Sequence, residues 1–248
     1  MNNLFSLKDK VIVVTGASSG IGRATAIMCS QLGGNIILLG RNEERLKETL
    51  NFLENTGHLY FSLDLNEDDD VDIFIEKLDK IDGIVHSAGI VQSQLFSFLK
   101  KNDLENMLNT NLIAPALLTK KIIKKKKINK NSSIVFISSI SGPNVTYIGN
   151  ASYSASKSAV CGLAKTMALE LAGKGIRVNT ILPAMIETDL INSIDSSSED
   201  IEKDKKNYPL GDYGKPDDVA ASACFLLSSA SKWMTGTDLK LDGGLTLR

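Results

Sequence analysis

The chain has 248 residues, 28 basic against 29 acidic side chains, a formal charge of -1 and a 43% share of hydrophobic residues. These values predict one large globular domain spanning 1–248 with a substantial core, and they exclude a disordered chain. The balanced charge gives no reason to expect nucleic acid or a membrane surface as a partner.

Targeting and redox signals favour the cytoplasm. The first residues, MNNLFSLKDKVIVVTG, lack the basic and apolar regions of a secretory signal, and no apolar run reaches the ~20 residues of a membrane helix. Cys29, Cys161 and Cys224 lie far apart in the sequence and without metal-ligand spacing. We therefore expect small core thiols in a reducing compartment, and no metal site.

Seven short apolar segments alternate with segments of helical period and are predicted as strands. Their apolar residues run continuously, which is typical of parallel strands buried on both faces. We therefore expect an α/β fold, a single-domain Rossmann-type doubly wound parallel sheet of about seven strands with helices on both faces. The predicted strands are 11–15, 35–40, 59–64, 83–88, 133–138, 176–182 and 238–244.

A glycine-rich turn, TGASSGIG at 15–22, joins the first strand to the first helix. Gly16, Gly20 and Gly22 allow a tight turn and a close approach of a pyrophosphate to the backbone. The helix that follows offers free N–H groups and a partial positive charge to the phosphates. A glycine triplet alone is weak evidence, but its position between a buried strand and an amphipathic helix predicts dinucleotide binding.

The end of the second strand bears on which dinucleotide binds. An NAD site usually has an acidic residue there, whereas this chain has Arg41, whose guanidinium suits a 2′-phosphate. Ser18 and Ser19 could add hydroxyl donors to the same phosphate. We therefore predict NADP(H) in preference to NAD(H); the alternative is that Arg41 is a solvated loop residue.

Tyr153 and Lys157 lie four residues apart on one predicted helix face, among alanines and serines. A neighbouring ammonium stabilises a phenolate and lowers its pKa from about 10, which makes the tyrosine a credible proton donor. Ser139 follows the strand 133–138, at the sheet edge where ligands bind. The alternative is that the stripe of small residues is only a packing face.

Eight motifs in this order and spacing resemble those of the short-chain dehydrogenase/reductase family, in its single-domain form. The resemblance covers nearly the whole chain. The motifs are TGASSGIG at 15–22, DL at 64–65, SAG at 87–89, NTNL at 109–112, ISS at 137–139, YSASK at 153–157, RVNTILPAMIETDL at 177–190 and LDGG at 241–244.

The resemblance implies four catalytic residues. Tyr153 would be the acid/base, and Lys157 would hold the nicotinamide ribose and lower the tyrosine pKa. Ser139 would polarise the substrate carbonyl, and Asn111 would hold a water in a proton relay to the lysine. By residue type alone, Asn111 could be a turn or helix-kink asparagine and Ser139 a strand-end cap.

The resemblance also implies the remaining contacts to the cofactor. Asp64 would contact the adenine, Ala88 and Gly89 would pass by the adenosine ribose, and the loop that ends in Thr188 would hold the nicotinamide. The full expected set is Gly16, Ser18, Ser19, Gly20, Ile21, Gly22, Arg41, Asp64, Leu65, Ser87, Ala88, Gly89, Tyr153, Lys157, Pro183, Ile186 and Thr188.

Two positions depart from the family pattern. His86 stands where the family has asparagine, and Ala184 follows Pro183 where the family has glycine. His86 could be a general base because histidine titrates near neutrality, but we expect a buried imidazole that braces the sheet. Ala184 puts the fine geometry of the nicotinamide loop in doubt.

Among relatives, the chain most resembles the β-ketoacyl-acyl-carrier-protein reductases, in IETDL at 186–190 and KPDDVA at 215–220. This implies a 3-oxoacyl thioester substrate, fatty acid biosynthesis, and docking of an acidic carrier, for which the lysines of 120–130 and Lys174 are candidates. The same fold and residues also serve sugars, polyketides and simple ketones. A catalytically silent dinucleotide-binding sensor or scaffold is a rival of another class.

Two further expectations concern mobility and assembly. Residues 185–215 are expected to form a substrate loop or lid, although the polar stretch 192–207 could be a solvated surface excursion. The resemblance implies a homotetramer or homodimer that uses the helices at 100–127 and 153–173 and the last strand.

Overall fold

The computed structural model describes residues 3–188 and 198–247, and these form one α/β domain around a seven-stranded sheet. Every pairing in the sheet is parallel, in the order β3-β2-β1-β4-β5-β6-β7. The predicted fold class is confirmed. The strands are β1 Val11–Thr15, β2 Asn35–Gly40, β3 Leu59–Ser62, β4 Ile81–His86, β5 Ile128–Ile137, β6 Arg177–Pro183 and β7 Asp238–Leu241.

Helices follow the first six strands and cover both faces of the sheet. A π-helical segment, Asn109–Ile113, joins α4 to α5 in one continuous helical run. The helices are α1 Gly20–Gln31, α2 Glu43–Asn51, α3 Asp68–Lys77, α4 Lys101–Leu108, α5 Ala114–Lys124, α6 Ala151–Leu171, α7 Ser198–Lys205 and α8 Pro216–Leu227. Among the described helices, none combines the length and the apolar character needed to cross a membrane.

The core has two layers, because successive side chains of a strand point to opposite faces. On β1, Val13 packs into the layer under α3, α5 and α6, whereas Ile12 and Val14 pack into the layer under α1 and α8. Cys29 and Cys224 meet in the second layer, with their Sγ atoms 3.5 Å apart. The three thiols are buried and free, as the sequence predicted.

Most differences from the predicted boundaries are at strand ends. The strand β5 begins five residues earlier than predicted, at Ile128, because the polar residues 129–132 carry no apolar signal. A register shift between Ile81 and Gly83 accommodates this extra length. Ser87 and Ala88 lie beyond β4, in a loop.

The strand order places a crevice at the carboxyl edge of the sheet. The order reverses between β1 and β4, and a parallel sheet binds ligands at such a switch point, outside the carboxyl ends of its strands. The loops that follow β1 to β6 all reach this edge.

Candidate active site

The glycine turn after β1 is crowded in a way that only glycine permits. A Cβ on Gly16, whose φ is +65°, would lie 2.8 Å from the Ala88 amide nitrogen, and a Cβ on Gly22 would lie 2.2 Å from the Gly16 oxygen. Gly20, with φ +50°, faces the Thr188 side chain, whose Cγ2 would be 3.2 Å from a Cβ there. The turn, named the glycine cradle below, therefore brings the loops after β1, β4 and β6 together.

Thr15, which the sequence analysis did not single out, joins the loops after β1 and β4. Its buried hydroxyl oxygen accepts hydrogen bonds from the Ser87 and Ala88 N–H groups, both at 3.1 Å. In the sequence it reads as an ordinary β-branched strand residue. Its role depends on a partner about seventy positions away, which no local pattern indicates.

A cavity of about 440 Å³ lies at the end of the crevice next to β2 and β3. Arg41 and Asp64, both predicted cofactor contacts, line it and form an ion pair with Nη1 and Oδ2 3.8 Å apart. The Arg41 side chain is 72% exposed, so the guanidinium can move to a phosphate at little cost. Leu65 also lines this cavity, together with Ile90 and Thr110, which the sequence analysis missed.

Ser18 of the turn lies at the same end of the crevice as Arg41, and Ser19 begins α1. A Cβ on Gly40, at the end of β2, would lie 3.5 Å from the Ser18 Oγ, so Ser18 is next to Arg41. Ser19 is the N-cap of α1, yet its side chain makes no capping hydrogen bond. The first turn of α1, which includes Ile21, follows directly, and helix N-termini attract phosphate.

Tyr153 and Lys157 lie in the first turns of α6, beside the end of β5. The Lys157 Nζ is 5.7 Å from the centre of the Tyr153 ring and donates a hydrogen bond to the Ile137 carbonyl oxygen at 2.9 Å. Ser139 follows β5; its hydroxyl hydrogen-bonds the Tyr153 phenol and accepts from the Ser141 N–H at 3.0 Å. The structure thus brings Ser139, Tyr153 and Lys157 together, and Asn111, the fourth expected catalytic residue, lies on the far side of Lys157.

Burial controls the ionisation of this pair. Burial raises the pKa of the Tyr153 phenol, and the hydrogen bond with Ser139 opposes that shift in part. Burial also lowers the pKa of Lys157 to about 8. In the protein alone the Tyr153 pKa is therefore raised, because desolvation of the phenol outweighs the hydrogen bond with Ser139.

Asn111 lies in the π-helical segment and is buried. Its Oδ1 accepts from the Ile90 N–H at 2.8 Å, and its Nδ2 donates to the Ile90 oxygen and the Ser156 Oγ, both at 3.0 Å. A Cβ on Gly89 would lie 3.1 Å from the Asn111 Oδ1 and 3.6 Å from the Lys157 Nζ. Glycine therefore keeps open the space between these two side chains, and the Asn111 side chain is already occupied as a brace.

The histidine that departs from the family pattern is a structural residue. His86 is 3% exposed and stacks on Phe136, with ring centres 4.7 Å apart. Its Nε2 bonds to the Thr119 hydroxyl at 2.8 Å, and that hydroxyl donates to the Pro115 oxygen, so Nε2 carries the proton. Burial lowers the pKa of His86 to about 3, which leaves it neutral and unsuited to general-base work at neutral pH.

The other departure, Ala184, adds no backbone strain after β6. Ala184 is not among the described residues with a left-handed backbone, so its Cβ carries no strain there. Its N–H donates to the Leu241 oxygen at 2.8 Å, and Pro183 accepts from the Ile140 N–H at 3.0 Å. Ile186 pairs with Gly214 in an isolated bridge, which fixes the start of the loop.

Part of the expected lid is helical. Residues 198–205 form α7, whose last residue, Lys205, is paired with Glu187 at 3.1 Å and Asp212 at 2.8 Å. These ion pairs tie α7 to the segments that flank the crevice. The rest of the polar stretch, up to 197, lies outside the described residues.

The lysines of 120–130, considered for carrier docking, lie at the amino ends of the strands, opposite the crevice. They span the end of α5 and the start of β5, where Ile128 pairs with Ile81, whereas Phe136 pairs with His86 at the far end. Five residues of β4 separate these partners, or roughly 16 Å of strand. Within the described ranges, no group of His, Cys, Asp and Glu is arranged to hold a metal ion.

Comparisons with known proteins agree with this architecture. The sequence model of the family described as Enoyl-(Acyl carrier protein) reductase matches residues 16–246. The chain is 34% identical to a 3-oxoacyl-[acyl-carrier-protein] reductase of Thermotoga maritima, over 97% of this chain and 99% of that protein. It is 37% identical to the Mus musculus protein of the same name, over 96% and 99%.

Solved structures that are similar to this chain share its fold and include a sugar dehydrogenase. The chain is similar to an aldohexose dehydrogenase of Thermoplasma acidophilum, with a TM-score of 0.86, 29% identity and coverage of 98% of this chain and 96% of that one. It is also similar to a short-chain type dehydrogenase/reductase from Mycobacterium marinum, with a TM-score of 0.88, 28% identity and coverage of 99% and 98%.

Proposed function

The chain belongs to the short-chain dehydrogenase/reductase family, and we propose that it is an NADP(H)-dependent reductase of 3-oxoacyl thioesters. Membership of the family makes it an oxidoreductase. The observation that carries the finer proposal is the grouping of Ser139, Tyr153 and Lys157 at the carboxyl edge, next to a glycine cradle. The name shared by the relatives supports the choice of substrate.

The residues at the crevice fit a phosphorylated dinucleotide. The cradle at Gly16 and Gly22 has no room for a Cβ, and the turn opens the N-terminus of α1. Arg41, with Ser18 beside it, suits a 2′-phosphate, while Asp64 and Leu65 line the cavity for the adenine. The remaining predicted contacts, Ser87 to Gly89 and Pro183 to Thr188, frame the two sides of the crevice.

When bound, NADPH would supply the hydride that reduces the substrate carbonyl. Tyr153 holds the proton that the developing alkoxide needs, and its raised pKa keeps the phenol protonated at neutral pH. Lys157, with a pKa of about 8, is still mainly charged at pH 7. Its ammonium favours the phenolate that remains once the proton has moved.

Ser139 orients the reacting oxygen. Its Oγ accepts from the Ser141 N–H, so its own proton can be donated to the phenol or to a substrate oxygen between them. Asn111 acts mainly through position, because its side chain holds Ile90 and Ser156 beside the space at Gly89 that the Lys157 Nζ faces. A relay water would then be held by the main chain of the π-helical segment, whose wider turn departs from the α-helical hydrogen-bond pattern.

We further propose a carrier-bound substrate, a cytoplasmic location and an oligomeric assembly. The relatives' names support an acyl-carrier substrate, the family resemblance implies fatty acid biosynthesis, and three free buried thiols suit the cytoplasm. A carrier bound at the 120–130 lysines would lie at the opposite ends of the strands from the Tyr153 of the same subunit. We propose a homotetramer or homodimer, with residues 185–215 as the substrate lid.

A sugar or small-ketone dehydrogenase is the second candidate, supported by the similarity to the aldohexose dehydrogenase. The two candidates share the hydride and proton chemistry and differ in the substrate. A silent dinucleotide-binding sensor is disfavoured, since such a protein has no need for the grouped tyrosine, lysine and serine.

The test is consumption of NADPH with a 3-oxobutanoyl thioester, a diketone and a keto-sugar, for the wild type and Tyr153→Phe. Phenylalanine keeps the ring and removes the proton donor, so kcat should fall at least about a hundredfold. An unchanged kcat in Tyr153→Phe would overturn the mechanism. Turnover of the keto-sugar alone would favour the second candidate.

A further inference from the structure

Large apolar side chains are exposed on three loops at the mouth of the crevice. The most exposed are Ile148 at 89%, Leu210 at 83% and Phe96 at 77%. Single exposed apolar residues are ordinary, but a group of them beside a catalytic crevice marks a binding surface. The group, named the apolar rim below, comprises Leu95, Phe96, Phe98, Tyr147, Ile148 and Leu210.

Direct contacts hold two of these loops together. The Gln94 N–H, next to the rim residue Leu95, donates to the Gly149 oxygen at 2.8 Å, next to Ile148. Gly149 has φ +86°, and a Cβ on it would lie 2.4 Å from the Ser93 Oγ, so the loops after β4 and β5 pack without a gap. The loops that carry Phe96 and Ile148 are therefore joined at this contact.

The rim is also tied to the catalytic helix. The Ser154 N–H, adjacent to Tyr153, donates to the Asn150 oxygen at 2.7 Å, and Asn150 donates to the Tyr147 oxygen at 3.1 Å. The Ser154 hydroxyl also bonds Thr146 at 3.2 Å. These bonds set Tyr147 and Ile148 directly before the first turn of α6, which carries Tyr153.

The third loop closes the other side of the mouth. Tyr208 is 5% exposed, and its hydroxyl accepts from the Met185 N–H at 3.4 Å, at the start of the nicotinamide loop. Met185 follows β6, so this loop lies at the carboxyl edge of the sheet. Leu210 follows and donates its N–H to the Gly243 oxygen at 3.1 Å.

We propose that the apolar rim binds the alkyl chain of the 3-oxoacyl thioester, so that the enzyme prefers medium-length chains to the four-carbon substrate. This inference rests on the proposed function. The six rim side chains include aromatic and branched aliphatic groups and no charge, so they offer dispersion contacts and burial to a flexible alkyl chain. A sugar, which carries hydroxyls along its whole length, gains nothing from such a surface.

The expected size of the effect follows from burial. Full burial of one methylene raises the affinity about fourfold. The rim is open on one side and buries each methylene only partly, so we expect the affinity to rise about twofold per methylene. Between a four-carbon and an eight-carbon acyl group, kcat/KM should therefore rise by about tenfold or more.

The experiment measures kcat/KM with NADPH for 3-oxobutanoyl and 3-oxooctanoyl N-acetylcysteamine thioesters. Three proteins are compared: the wild type, the double variant Phe96→Ser with Ile148→Ser, and the control Phe52→Ser. Phe52 is 60% exposed but caps the end of α2, away from the carboxyl edge of the sheet. The ratio of the two kcat/KM values should be about ten or more in the wild type and the control, and close to one in the double variant.

The outcomes separate the two proposals. Turnover of neither thioester would overturn the proposed function. Turnover with equal kcat/KM for both chain lengths in the wild type, or an equal ratio in all three proteins, would overturn the rim while leaving the reductase intact. If the double variant fails to fold by circular dichroism, Leu210→Ser on the separate third loop gives the same comparison.

Discussion

His86 and Lys157 are both buried at the carboxyl edge, but their polar atoms differ in how fully they are hydrogen-bonded. The Lys157 ammonium donates to a main-chain carbonyl and keeps a pKa of about 8. His86 bonds through Nε2 alone, and no donor among the described residues reaches its Nδ1. Lys157 can therefore carry charge at pH 7, whereas the buried ring of His86 has no compensation for a proton.

His86 predicts a pH dependence of stability. Its pKa is about 3 in the folded protein against about 6.5 when unfolded, so the unfolded chain binds more protons between these values. The free energy of unfolding should therefore fall as the pH drops below 6.5, by about 2 kcal/mol at pH 5 from this residue. Urea denaturation at pH 7 and pH 5 should show this loss in the wild type and a smaller one in His86→Asn. Equal losses would mean that the native imidazole takes up a proton.

Arg41 predicts the cofactor preference. Its guanidinium is exposed and paired only loosely with Asp64, so it is available to a 2′-phosphate. In Arg41→Ala the KM for NADPH should rise about ten- to a hundredfold, because a charged hydrogen bond is lost. The KM for NADH, measured in the same assay, is the control and should stay within about twofold of the wild type. Equal effects on both cofactors would place Arg41 outside the phosphate site.

At the level of elements, the π-helical segment between α4 and α5 is the feature that shapes the site. The wider turn sets Asn111 facing the loop after β4, where its side chain satisfies both main-chain groups of Ile90. If one residue were removed to make this segment a regular α-helix, the residues after it would turn by about 100° about the helix axis. The irregularity is therefore part of how the crevice is built.

Asn111→Ala should cost stability as well as activity. The variant leaves the Ile90 N–H buried without its acceptor, so the free energy of unfolding should fall by about 1–3 kcal/mol. Urea denaturation measures this loss, and NADPH consumption measures the fall in kcat. Asn109→Ala changes an exposed asparagine of the same segment and is the matched control. Similar losses in both variants would mean that the segment tolerates neither change, and would contradict a specific brace at Asn111.

At the level of the whole molecule, the proposed homotetramer or homodimer would pack through α6. Gly162 is exposed there, and a Cβ on it would meet nothing within 4 Å. In Gly162→Arg the isolated subunit should therefore fold normally, while a second helix packed on this side would clash with the arginine. Light scattering after gel filtration should give an oligomer for the wild type and a smaller species for the variant.

Asn51→Arg, an exposed change at the end of α2, is the control and should leave the molecular mass of the assembly unchanged. An unchanged mass for Gly162→Arg would remove α6 from the interface.

Local patterns in the sequence determined much of this protein. The strand and helix periods, the glycine turn and the spacing of Tyr153 and Lys157 act through neighbouring residues, so they predicted the fold class and most of the site. The predicted ends of β3 and β5 were wrong by a few residues because polar positions at strand ends carry little signal.

Contacts between distant residues decided the rest. Four features exist only once the strands are paired. They are the hydrogen bond between Ser87 and Thr15, the hydrogen bonds between Asn111 and Ile90, the burial that raises the Tyr153 pKa, and the position of the 120–130 lysines. A side chain's hydrogen-bond partners and its desolvation depend on residues brought close by folding, and a single sequence does not specify those distances.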